Sequence, residues 1–173
     1  MYVITVIGGA KQGKTPFIKS YINNSDCLIF DVQNEYGEKV KYAGQQKYGL
    51  DTNNLKPRSR VTELDVNKFI DLCNTKKNTV CVFEESTMFF QGMTGETMRK
   101  LIFSKAHTGN VYVLVFHSIN AVPPRIMEAT DFVVLFKTND EEKTVEKKFP
   151  RLLQHFHKLR TAKDGQHIKI KML

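Results

Sequence analysis

Gly8, Gly13, Lys14 and Thr15 stand at the spacing G-x-x-x-x-G-K-[ST], and those residue types together suit one task, the holding of phosphate. Glycines let the backbone turn tightly and aim its N–H groups inward, and a lysine adds a full positive charge. A helix opening directly after the loop points its unpaired N-terminal donors at the same spot. The expected phosphate-binding set is Gly8, Gly9, Ala10, Lys11, Gln12, Gly13, Lys14, Thr15 and Pro16, with Thr15 also offering its hydroxyl to magnesium.

Two further polar groups stand where chemistry is done. Glu84-Glu85 closes the apolar run TVCVF, and His117-Ser118 closes VYVLVF. Two carboxylates at the end of a buried strand are costly to leave without partners. In a phosphate-loop protein such acids hold magnesium and polarise the attacking water. Glu84 is assigned to the magnesium shell and Glu85 to the water, and the adjacent pair is expected to face different directions as the strand ends. The plain alternative is an exposed acidic turn. His117 is expected to reach toward the γ-phosphate as a sensor, against the alternative of a structural histidine.

The elements around these residues follow from apolar patterning. The run Val3, Ile4, Val6 and Ile7 predicts a strand entering the loop, and Phe17, Ile18, Tyr21 and Ile22 predict the helix leaving it, with Pro16 in its first turn. CLIFDV (27–32), TVCVF (79–83), VYVLVF (111–116) and FVVLF (132–136) read as buried strands of a mainly parallel sheet. Val66, Phe69, Ile70 and Cys73 predict a helix over 65–75. Residues 38–60 read as a long polar connection with some strand, 123–125 as a stiff turn and 137–143 as a charged turn. A helix is expected over 149–159, and the alternation Ile168, Ile170, Met172 predicts a closing edge strand guarded by lysines.

The chain has 173 residues and a formal net charge of +8, with pI about 9.4. The length suits a single domain, with a core over about 1–137 and a basic helix-strand extension over 138–173. The charge favours a polyanionic partner, nucleic acid before membrane, over a merely solvated basic surface. Residues 39–60 carry Lys39, Lys41, Lys47, Lys56, Arg58 and Arg60 against the single acid Asp51. No apolar run approaches the roughly 18 residues needed to span a bilayer, so a cytoplasmic protein is expected. Cys27, Cys73 and Cys81 form no C-x-x-C pair and are expected to be buried, reduced thiols.

The order of phosphate loop, DVQNEYG, VCVFEE, VLVFHS and VPPRIMEATDFVVLF resembles the FtsK-HerA superfamily of P-loop ATPases, especially its viral genome-packaging branch and the zonula-occludens-toxin-like phage ATPases. The resemblance covers roughly residues 1–137. It implies a RecA-like (ASCE) α/β core with the VLVFHS strand between the loop strand and the acidic strand. It also implies a homo-oligomeric ring that hydrolyses ATP with Mg2+ to move double-stranded DNA, working with phage portal or capsid proteins in a host cytoplasm. The chain departs from the pattern in three places: its magnesium acid is glutamate, its sensor is histidine, and no obvious arginine precedes the sensor strand. Arg125, Arg99 and Lys105 are the candidates for a finger reaching into a neighbour's site. Arg125 is favoured for its planar guanidinium, although Lys105 stands nearer the usual position.

Two other functions use the same loop. A nucleotide or small-molecule kinase needs an arginine-bearing lid, and 138–165 is basic without a clear lid pattern. A nucleotide-dependent assembly module would turn over slowly, against which stand the intact Lys14, Thr15 and Glu85.

Overall fold

The computed structural model describes residues 2–23, 25–31, 36, 41–42, 58–61, 66–90, 100–101 and 108–172. Within them an eight-stranded sheet runs through the molecule. Its strands in chain order are β1 (Val3–Ile7), β2 (Cys27–Phe30), β3 (Lys41–Tyr42), β4 (Arg58–Val61), β5 (Val80–Phe83), β6 (Val111–Phe116), β7 (Phe132–Phe136) and β8 (His167–Lys171). Their order in space is β3-β4-β2-β5-β6-β1-β7-β8. All pairings are parallel except that of β7 with β8. The helices are α1 (Lys14–Tyr21), α2 (Val66–Asn74), α3 (Ser86–Phe90), α4 (Pro124–Ala129), α5 (Glu142–Lys148) and α6 (Leu153–Arg160), with a 3-10 turn at Pro150–Leu152.

Alternation along the strands sorts the core into two layers. Val3, Ile7, Leu28, Phe30, Cys81, Phe83, Tyr112, Leu114, Phe116, Val133 and Leu135 point to one face, where they pack with residues of α2, α3, α4, α5 and α6. Ile4, Val6, Cys27, Ile29, Val80, Val82, Val113, Val115, Val134 and Phe136 point to the other, against Ile18 and Ile22 of the α1 segment. Strands buried on both faces read as continuous apolar runs, which is why the five central ones, β2, β5, β6, β1 and β7, are visible in the sequence. The result is the RecA-like P-loop NTPase architecture, with β6 seated between β1 and β5.

One local expectation is made specific and three are corrected. The connection over 38–60 contributes two strands, β3 and β4, which extend the parallel sheet beyond β2; the remainder of it lies outside the described residues. The stiff turn at 123–125 is the start of α4: Pro123 is its extended N-cap and Pro124 its first residue, where a missing N–H costs nothing. The charged turn over 137–143 gives way to α5. This helix buries a single apolar residue, Val145, too little for a periodic signal, but Glu142 opens it and Lys147 and Lys148 close it, as the helix dipole favours. The helix over 149–159 is divided, with Pro150–Leu152 in the tighter 3-10 form before α6. The closing edge strand is present as β8, antiparallel to β7, with its apolar residues half-buried and its lysines exposed.

Cys27, Cys73 and Cys81 are free and buried, as expected. Burial, followed by a hydrogen bond with Cys81, pushes the Cys73 thiol well up. No helix among the described residues is long and apolar enough to cross a membrane.

Candidate active site

The loop after β1 is built by its glycines and by two left-handed residues. Gly8 lies so close to Phe136 that a Cβ there would meet the Phe136 Cβ at 2.6 Å. Its N–H donates to the Phe116 carbonyl at 3.1 Å, and the Gly9 N–H donates to the Lys137 carbonyl at 2.9 Å. The first two glycines of the expected set therefore fasten the loop to the flanking strands. The next residues turn it: Lys11 has φ 59° and Gly13 has φ 91°, a reversal that points backbone N–H groups into the concavity. Gly13 then caps α1, with Phe17 N–H donating to its carbonyl at 3.1 Å.

Ala10, Lys11, Gln12, Gly13, Lys14, Thr15 and Pro16 line a cavity of about 500 Å³, and its remaining wall is Glu84, Glu85 and His117. The three polar groups anticipated at strand ends thus meet the loop around one space. They do so because β1, β5 and β6 are parallel neighbours and deliver their carboxyl ends to the same edge. The Lys14 ammonium donates to the carbonyls of Gly8 and Gly9, both at 2.8 Å, so the side chain curls back over its own loop.

The two glutamates do face different ways, but strand alternation is not the cause. Strand β5 ends at Phe83, and Glu85 has φ 55°, the left-handed conformation that β-carbon sterics disfavour. Glu84 is buried at 7% exposure and accepts a hydrogen bond from the Tyr36 hydroxyl. Glu85 turns toward the end of β6 instead, its side chain only 12% exposed, with Oε2 2.7 Å from Nε2 of His117.

Hydroxyls take over where β5 leaves the sheet. Ser86 Oγ donates to the Phe83 carbonyl at 2.8 Å and accepts from the Val115 N–H at 3.1 Å. Thr87 Oγ1 accepts from the His117 N–H at 3.2 Å. These bonds tie the Glu85 turn to the end of β6. They hold Glu85 and His117 in register without a continuous ladder.

Several residues around the site escaped the sequence reading. Tyr36 stands 48 residues from Glu84, and its N–H also donates to Oδ2 of the fully buried Asp31 at 3.2 Å. Asp31 did carry a signal, an acid closing the apolar run CLIF at a strand's carboxyl end. Gly165, in the turn before β8, approaches Gly13 so closely that a Cβ on Gly13 would lie 3.2 Å from the Gly165 Cα. The His167 ring meets those of Phe17 and Phe136, each with centroids 4.9 Å apart. No local pattern announces that the C-terminal extension folds back on the phosphate loop.

Arg125 is exposed near the start of α4 and does not line the cavity. Arg99 and Lys105 lie outside the described residues.

Fold and loop together define the chain as having the P-loop NTPase architecture. No family model and no curated protein matches the sequence. Solved structures do match. The genome packaging NTPase B204 of Sulfolobus turreted icosahedral virus 2, in complex with AMPPCP, superposes with a TM-score of 0.81 at 18% identity, over 98% of this chain and 92% of that one. B204 of Sulfolobus turreted icosahedral virus, described as a DNA-packaging ATPase, gives 0.75 at 16% identity over 99% and 98%. The pCW3 conjugation coupling protein TcpA gives 0.52 at 14% identity over 86% of this chain and 52% of that one. At such identities the likeness is one of fold.

Proposed function

We propose that this chain is an ATP-hydrolysing motor of the FtsK-HerA type that moves double-stranded DNA, as a genome-packaging ATPase does. The observation that carries the reading is the joining of the phosphate loop, Glu84, Glu85 and His117 around one cavity at the ends of adjacent parallel strands. The architectural likeness to a DNA-packaging ATPase supports the polymer, as does the net charge of +8.

In this reading the triphosphate enters against the backbone N–H groups of residues 10–15 and the N-terminus of α1. Lys14 exchanges the Gly8 and Gly9 carbonyls for phosphate oxygens, a short swing of a side chain already held over the loop. Thr15 and Glu84, both in the cavity wall, offer the hydroxyl and carboxylate oxygens that suit magnesium, whose charge offsets that of the phosphates. The hydrogen bond from Tyr36 keeps one Glu84 oxygen oriented.

Glu85 accepts the proton of the attacking water, and His117 releases Glu85 and turns to the γ-phosphate. Water is the acceptor in this reading, with the Glu85 carboxylate in the wall facing the loop as the group that activates it. A guanidinium from a neighbouring subunit completes the site in a ring, and the exposed Arg125 is the candidate among the described residues. The ring would dock on portal or capsid proteins in the host cytoplasm, with the whole chain acting as one domain.

The test is phosphate release from ATP with and without magnesium and duplex DNA, alongside sedimentation with and without ATP. Magnesium-dependent hydrolysis, its stimulation by DNA and an ATP-linked rise in mass are expected. Hydrolysis indifferent to DNA would overturn the motor, and a persistent monomer would leave a finger in trans without a site.

A further inference from the structure

A second cavity, of about 480 Å³, is lined by Asn120, Lys143, Thr144, Lys147 and Lys148. Asn120 is in the loop that begins at His117, but none of the lining residues belongs to the nucleotide cavity. Helix α5 forms one side of it.

The charges of α5 are sorted around its axis. Glu142 and Glu146, four residues apart, share one edge. Glu142 is engaged there by α6, with the His157 Nε2 and the Arg160 Nη1 each 3.5 Å from its carboxylate. Lys143 and Lys147, also four apart and both exposed, share a different edge, which faces the groove.

A further acid, Asp140, holds the loop that carries Asn120. Asp140 accepts the Ile119 N–H at 2.7 Å on one oxygen and the Asn120 N–H at 3.0 Å on the other. Lys148 is committed too, since its ammonium donates to the Asn120 carbonyl. Burial lowers the Lys148 pKa, against the opposing pull of the Asp140 charge. What remains to face a ligand is two flexible ammonium groups flanking a threonine hydroxyl and an asparagine. Among the described residues no carboxylate lines the groove.

We propose that this groove seats the phosphodiester backbone of nucleic acid, with Lys143 and Lys147 contacting phosphates while Thr144 and Asn120 supply neutral hydrogen bonds. The inference rests on the polymer-moving function proposed above, and it names the surface that meets the polymer. Phosphate is favoured over an acidic protein segment because point-charge lysines one helical turn apart track a regular line of anions. Among the described residues the groove presents no apolar side chain to anchor a peptide. Such contacts fix position without reading bases, so binding is independent of sequence.

The experiment compares the native chain, Lys143→Ala/Lys147→Ala, and a charge-matched control, Lys163→Ala/Lys171→Ala, by fluorescence anisotropy on two duplexes of unrelated sequence between 50 and 300 mM salt. Each lost phosphate contact removes about 0.9 from the slope of log K against log salt. The groove variant is therefore expected to lose about 2 from the slope and on the order of 50-fold in affinity near 0.1 M salt, equally on both duplexes. The control keeps the native slope. Hydrolysis without DNA stays native in both variants, and its stimulation by DNA is lost with binding in the groove variant alone.

A native chain that binds DNA steeply with salt while the groove variant keeps the same slope overturns the groove and leaves the motor standing. A native chain that does not bind DNA overturns both. Polyglutamate displacing DNA from the native chain at equal charge concentration overturns the assignment to nucleic acid in favour of an acidic protein.

Discussion

Replacement of Glu85 separates its chemistry from its structural cost. The residue sits at φ 55°, a conformation that costs an L-amino acid about 1–2 kcal/mol. Glycine at this position recovers that strain, but the freer unfolded chain takes back about 0.4–1 kcal/mol. The contact with His117, whose side chain is 42% exposed against 12% for Glu85, is worth about 1 kcal/mol. These contributions nearly cancel, so Glu85→Gly is expected to lie within about 1 kcal/mol of native stability, or about 2–4 °C in Tm for a chain of this length. Hydrolysis behaves differently. A positioned general base contributes about 10²–10⁴-fold, so Glu85→Gln and Glu85→Gly should both lose at least about a hundredfold in kcat, or about 2.7 kcal/mol. Both should still bind ATP, because Lys14, Thr15 and Glu84 are untouched. Single-turnover phosphate release, binding of a fluorescent ATP analogue and thermal melting measure the three quantities. Native-rate hydrolysis by Glu85→Gln would refute the assignment, and a fall in Tm above about 10 °C in Glu85→Gly would make Glu85 a structural residue instead.

Tyr36→Phe removes the donor to a buried carboxylate, and loss of a hydrogen bond to a charged group costs about 1.5–3 kcal/mol; urea denaturation should show that loss together with a changed magnesium requirement for hydrolysis. Gly13→Ala forces a side chain onto a backbone at φ 91° and against Gly165, so nucleotide binding should fail. Gly165→Ala has the same sign of φ but open space around it, and should cost only about 1 kcal/mol while leaving binding intact; equal effects of the two on ATP affinity would contradict this. The thiols should resist alkylation in the native chain near pH 8 and react fully in denaturant. A pKa raised by burial leaves less thiolate at any pH below it, so the protection at Cys73 should outlast that expected from an ordinary cysteine.

Much of this protein is legible from local pattern. The loop spacing, the apolar runs of β1, β2, β5, β6 and β7, and the amphipathic α2 are written in consecutive residues, because strand and helix periodicities need only a short window. Polar residues closing those runs, Glu84, Glu85, His117 and Asp31, are legible for the same reason. Helix α5 was not, since one buried valine among charged residues makes no period.

The sequence by itself thus determined the parts of the site: a phosphate loop, and acids and a histidine at strand ends. Tertiary structure decided which parts meet. Strand order brings the ends of β5 and β6 to the loop, and that order depends on pairings between residues up to about a hundred positions apart. The same long-range packing sets Tyr36 on Glu84, lays Gly165 against Gly13, and engages Glu142 with α6 and Asp140 with the loop after β6. Contacts of that kind are set by the whole core folding at once, and no window of neighbouring residues contains them.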